Sequence, residues 1–101
     1  MKKAFICSPL RGDIEGNIKR AKGYALEAVL EGYLPIVPHI YFTLFLDDNK
    51  PTERQAGMTM GVELLKECDE IWVYGEPSEG MSQEIKVASD LGIKIIKKFL
   101  L

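Results

Sequence analysis

Four short apolar runs, separated by stretches with helical spacing, constrain this chain more than any other feature. Lys2 to Ser8 opens the chain as a run of strand formers and stops at Pro9. Leu34 to Pro38 is brief and carries two prolines, so it fits a strand only where their missing donors meet no ladder bond. Glu70 to Tyr74 has the make-up of a central strand and is followed by Gly75, while Ile93 to Ile96 supplies a last strand. Strands alternating with helices over crossovers of this length imply a parallel sheet covered on both faces. The expected architecture is an α/β, Rossmann-like (flavodoxin-like) three-layer sandwich around a four- or five-stranded parallel sheet. A chain of 101 residues buries only roughly 60–65 % of its unfolded surface, which leaves no room for a second core. Residues 1–101 therefore read as a single domain.

Between the strands, Ile14, Ile18, Ala21, Ala25, Ala28 and Val29 recur at helical spacing, with Asp13 placed to cap the helix and Gly32 to end it. Ile40 to Leu46 has no clear period and reads as a loop or short helix. Thr52 to Gln55 has the capping-box pattern, which predicts a helix from Thr52 to about Lys66 with Met58 and Met60 as core filler. The last helix is expected to carry Met81, Ile85, Ala88 and Leu91 on its buried side and to stop at Gly92.

Charge narrows the function. With 13 Lys+Arg against 15 Asp+Glu, the chain has no field for capturing nucleic acid or anionic membrane, so neither is an expected partner. The apolar stretch from His39 to Leu46 falls far short of the ~20 residues that cross a bilayer. Pro9, Arg11 and Asp13 interrupt the first apolar run too soon for a secretory leader, so the expected location is the cytoplasm. Cys7 and Cys68 stand alone, without the spacing of a metal or disulfide framework, which predicts reduced, mostly buried thiols and no metal or other cofactor.

In open α/β sheets ligands bind beyond the carboxyl ends of the strands, where helix N-termini also point. That selects Ser8 to Asp13, Pro38 to Thr52 and Gly75 to Glu84. Neither the G-x-G-x-x-G fingerprint nor the P-loop pattern occurs in the chain. The third loop places Ser78, Gly80 and Glu84 across a strand-to-helix turn. A carboxylate there, kept ionised by the helix dipole, can attack a sugar C1′ as the nucleophile of a retaining glycosidase does. Taken by itself, Glu84 reads first as a surface complement to the dipole, because acidic residues are common in first helical turns.

Ser8-Pro9-Leu10-Arg11-Gly12 after the first strand, Pro38-His39 after the second, and Pro77-Ser78-x-Gly80-x-x-x-Glu84 after the third carry a resemblance. Together they resemble the nucleoside 2-deoxyribosyltransferase and 2′-deoxynucleoside 5′-phosphate N-hydrolase superfamily, over nearly the whole chain. The resemblance implies an enzyme that cleaves or transfers the N-glycosidic bond of a nucleoside or nucleotide through a glutamate nucleophile at Glu84. It implies a phosphate- or hydroxyl-binding Ser78, close backbone approach at Gly80, and a ligand-binding first loop at Ser8, Arg11 and Gly12. Met81, inside the Glu79 to Ile85 motif, joins the substrate-binding set. Arg11 suits a 5′-phosphate because its planar fork pairs bidentately with the oxygens.

The chain departs from the active enzymes at one place. They carry an aspartate eight residues ahead of the one that leads into the third strand; here Asp69 leads and Gly61 stands at that earlier position. Six residues of strand put Asp69 about 20 Å from the carboxyl edge, so it reads as structural. His39 is the replacement acid best placed by sequence, with Tyr41 as a stacking partner for the base or a subunit contact. Asp47, Asp48 and Glu53 are further acids in or beside a turn. The aromatics Tyr41, Phe42 and Phe45 also predict a homo-oligomer, a dimer or tetramer. Two alternatives stand beside the enzyme: a nucleotide-binding module of the same fold without catalysis, and an NAD-type glycohydrolase.

Overall fold

Period-two alternation in the central strands explains the layering. The structure, a computed structural model, describes residues 1–98. Strand β1 (Lys3–Cys7) is followed by α1 (Ile14–Leu30), β2 (Leu34–Ile36), α2 (Pro38–Phe42), α3 (Pro51–Leu65), β3 (Glu70–Tyr74), α4 (Glu79–Asp90) and β4 (Lys94–Lys98). The strands form one parallel four-stranded sheet in the order β2-β1-β3-β4. Phe5, Cys7, Ile71 and Val73 face one side and pack with Leu65 of α3 and with Met81 and Ala88 of α4. Ala4, Ile6, Trp72 and Tyr74 face the other and pack with Ala28 and Tyr24 of α1. The expected three-layer sandwich is therefore present, with four strands among the described residues.

Each edge is built to be an edge. Pro35 lies opposite Ala4 in β2, where only one side of the strand needs ladder bonds. On the other edge, β4 carries Lys94, Lys97 and Lys98, charges that discourage pairing with another chain. Lys98 also places its ammonium 3.7 Å above the Trp72 ring, between Glu27 and Glu31. Asp69 ties β1 to β3 at the opposite end of the sheet from the loops of interest, accepting from the Lys3 amide at 2.7 Å.

Helix ends show where local rules held and where they lost. Asp13 caps α1 through a bond from the Gly16 amide at 3.1 Å, and Gly32 turns the chain out at a φ of 84°. The capping box at Thr52 does not form. Pro51 takes the first helical position, where its fixed φ is already helical and its missing donor costs nothing, so the helix begins upstream at Lys50 and Thr52 falls inside it. Asp13→Ala is accordingly expected to cost about 1 kcal/mol in urea denaturation, and Thr52→Ala less than about 0.5 kcal/mol.

Three expected core residues lie at the surface. Val29, Leu91 and Met60 are exposed because each falls just outside the arc its helix turns to the sheet. Cys7 and Cys68 are free, buried thiols.

Candidate active site

The chain runs from β1 outward to β2, then returns across β1 to place β3 on its other side. That reversal opens a crevice between the carboxyl ends of β1 and β3, the position where doubly wound sheets take ligands. A cavity of about 240 Å³ occupies it. Its wall comes from the loop after β1, the α2 segment, one stripe of α3 and the first turns of α4. The volume lies just under the ~300–1,000 Å³ usual for small-molecule sites, so it suits one small ligand.

Glu84 is on this wall. It lies six residues beyond Ser78, which caps α4 by accepting from the Met81 amide at 3.4 Å. That places Glu84 in the second turn, where the helix dipole has largely faded. The dipole therefore does not set its charge. Burial pushes the Glu84 carboxyl up to about 7, with a hydrogen bond from the Cys7 thiol pulling the other way. This corrects the expectation of a dipole-stabilised carboxylate. Burial, together with the neighbouring Glu84 charge, also pushes the Cys7 thiol up, so it stays protonated and serves as a donor. Its one proton has two acceptors in reach, Glu84 and the Met81 carbonyl at 3.9 Å.

Gly61 of α3 is buried against the same carboxylate. A Cβ built there would lie 3.8 Å from Glu84 Oε2 and meet nothing else within 4 Å. The Gly61 position thus faces Glu84 and is bare.

Charge gathers on the opposite wall. Asp48, its side chain 14 % exposed, lies 3.3 Å from Arg11 Nε and 3.5 Å from Arg54. Arg11 and Arg54 thus share the one Asp48 carboxylate on the wall of the cavity. Ser8, at the end of β1, is buried there with its hydroxyl oxygen in no hydrogen bond. His39 turns Nε2 to the Ser8 carbonyl at 2.7 Å, which that nitrogen can meet only as an N–H donor. Burial lowers the His39 pKa, outweighing the opposing effects of Ser8 and Asp48.

The fold thus brings Ser8, Arg11, His39, Ser78, Gly80, Met81 and Glu84 to one cavity. Gly12 and Tyr41 are not on its wall. Gly12 turns the loop at a φ of 94°, a conformation that favours glycine. Tyr41 is exposed and packs on Phe42 and Phe45 at ring separations of 5.4 Å. Sequence reasoning missed Arg54 and took Met58, which lines the cavity, for core filler. The signal was available in the helical spacing of Arg54, Gly57, Met58 and Val62, which puts them on one stripe of α3 with a glycine in it. Among the described residues no cluster of His, Cys, Asp and Glu could hold a metal ion, and no helix is long and apolar enough to cross a membrane.

A family model described as a domain of unknown function, DUF7768, matches residues 2–98. No curated protein matches the chain by sequence. Among solved structures, a 2-deoxyribosyltransferase from Bacillus psychrosaccharolyticus superposes with a TM-score of 0.76 at 14 % identity, over 96 % of this chain and 72 % of that one. A 2-desoxiribosyltransferase from Leishmania mexicana superposes with a TM-score of 0.72 at 16 % identity, over 98 % of this chain and 65 % of that one. At such identities the likeness establishes a shared fold.

Proposed function

The chain belongs to the DUF7768 family, and from that footing we propose that it is an enzyme cleaving or transferring the N-glycosidic bond of a nucleoside or nucleotide. The observation that carries this is Glu84: a half-buried carboxyl whose pKa desolvation pushes to about 7, on the wall of a cavity at the sheet's switch point. The fold shared with two deoxyribosyltransferases supports the same reading.

In this mechanism the ionised Glu84 attacks the anomeric carbon and forms a glycosyl ester through an oxocarbenium-like transition state. Water or a second base then resolves the ester. Ser8 and Ser78 supply hydroxyls for the sugar or a phosphate, and Gly80 lets the backbone of the first turn of α4 approach it. Arg11, with Arg54 beside it, offers charge for a phosphate. Self-association through the exposed face of Tyr41, Leu44 and Phe45 belongs to the same proposal.

One observation favours a second reading. Gly61 stands bare where an acid would face Glu84, as in a relative that binds its nucleotide without releasing the base. Chromatography of free base after incubation with nucleosides and 5′-monophosphates separates the two. Base release is expected; a thermal shift from one of these compounds with no release from any would establish the binding module instead.

A further inference from the structure

Glu84 apart, no carboxyl or imidazole on the cavity wall among the described residues is placed to hand a proton to a departing base. His39 donates Nε2–H to the Ser8 carbonyl, and burial favours its neutral form, so its other ring nitrogen carries a lone pair and no proton. Asp48 is engaged by both Arg11 and Arg54. Glu53 accepts from the Asp47 amide at 3.0 Å and pairs with Lys50. Glu79 is exposed in the first turn of α4. Gly61, beside Glu84, has no side chain to add.

The carboxylate also lacks a counter-charge. Burial raises its pKa against the Cys7 hydrogen bond, and among the described residues no lysine or arginine stands within ion-pair distance of it. Phe42 contributes an aromatic side chain to the same wall. A ring bearing a positive charge would answer both features, pairing with Glu84 and stacking on the aromatic surface.

We propose that this site takes an N-glycoside whose departing heterocycle is cationic, a pyridinium, in preference to a purine or pyrimidine; the proposal rests on the glycosidic reading above. A Glu84 oxygen forms a bond to C1′ as the C1′–N⁺ bond breaks. The bonding pair goes to the ring nitrogen, which leaves as a neutral pyridine, and no proton is transferred. Water then attacks C1′, freeing Glu84 as carboxylate and releasing one proton to solvent. A purine or pyrimidine leaving the same site would depart without general-acid help, which is typically worth about 10²–10⁴-fold in rate. A mononucleoside or mononucleotide is the smallest glycoside of this class and is in keeping with a cavity of about 240 Å³.

The test incubates the full chain with nicotinamide riboside and nicotinamide mononucleotide, beside adenosine, 2′-deoxyadenosine, thymidine and their 5′-monophosphates, and measures free base. Nicotinamide release is expected to exceed release of any other base by at least about 10²-fold and to vanish in Glu84→Gln. Gly61→Asp, which sets a second carboxyl beside Glu84, is expected to raise adenine release without raising nicotinamide release. Adenine or thymine released as fast as nicotinamide, and lost in Glu84→Gln, would overturn the cationic leaving group while leaving the glycosidic reading intact. Absence of release from every compound, by protein with an intact melting transition, would overturn both.

Discussion

Glu84→Gln is expected to lower base release by at least about 10³-fold while making the protein more stable above pH 7. The first effect follows because an amide cannot form the glycosyl ester. The second follows from burial. In the folded chain the carboxyl titrates near 7 against an ordinary value of 4.5, so between those values the folded state keeps a proton that the unfolded state has lost. The stabilising contribution of this group is complete below about pH 4.5 and is lost as pH rises through 7. Discounted for the partial exposure of the side chain, ionised Glu84 costs on the order of 2–3 kcal/mol at pH 8. Glutamine is nearly isosteric and neutral, so the variant should melt on the order of 10 °C higher at pH 8 and at the same temperature as the parent near pH 4.5. Equal melting temperatures at both pH values would refute the buried carboxyl, and undiminished turnover would refute the nucleophile.

Trp72→Ala is expected to cost about 3–5 kcal/mol, a large share of the 5–15 kcal/mol typical of a whole domain. Trp72 is 1 % exposed on β3 and packs among Ala4, Ile6, Ala28 and Tyr74, with Tyr33 edge-on at 5.0 Å. Its Nε1–H donates to Glu70 Oε1 at 2.9 Å, while Tyr33 donates to Oε2 of the same carboxylate at 2.9 Å. Burial alone would push the Glu70 carboxyl up; those two donors, with Lys94 and Lys2, outweigh it and hold the carboxyl below its usual range. Alanine would open a cavity in the α1 layer and leave a buried carboxylate short of one donor. Trp72→Phe keeps most of the apolar volume and should cost about 1–2 kcal/mol, chiefly for the lost donor. Urea denaturation measures both, and a loss below about 1 kcal/mol for alanine would show that the sheet repacks around the gap.

Much of the fold and some of the site could be read from the residues. The alternation of Phe5 and Cys7 with Ala4 and Ile6 already separates the two faces, and Asp13 and Gly32 mark the ends of α1 through backbone chemistry confined to a few neighbours. The spacing of Ser78, Gly80 and Glu84 assigned Glu84 to a strand-to-helix loop, and only the resemblance gave it a role. The capping box failed because two local signals competed and the proline at Pro51 had the more rigid claim. Val29, Leu91 and Met60 failed because a helix's buried arc is set by what it packs against, and periodicity alone does not show how wide that arc is.

The layers, the order of strands along the chain and the loop that carries Glu84 are legible in the residues, because period, caps and turn residues act over a few neighbouring positions. Tertiary structure alone decided the rest. It brought Gly61 to 3.8 Å of Glu84 and Asp48 between Arg11 and Arg54, pairings between residues distant in the chain. It also decided the charge of Glu84, because desolvation depends on what surrounds a carboxyl in space and not on where that carboxyl falls along a helix.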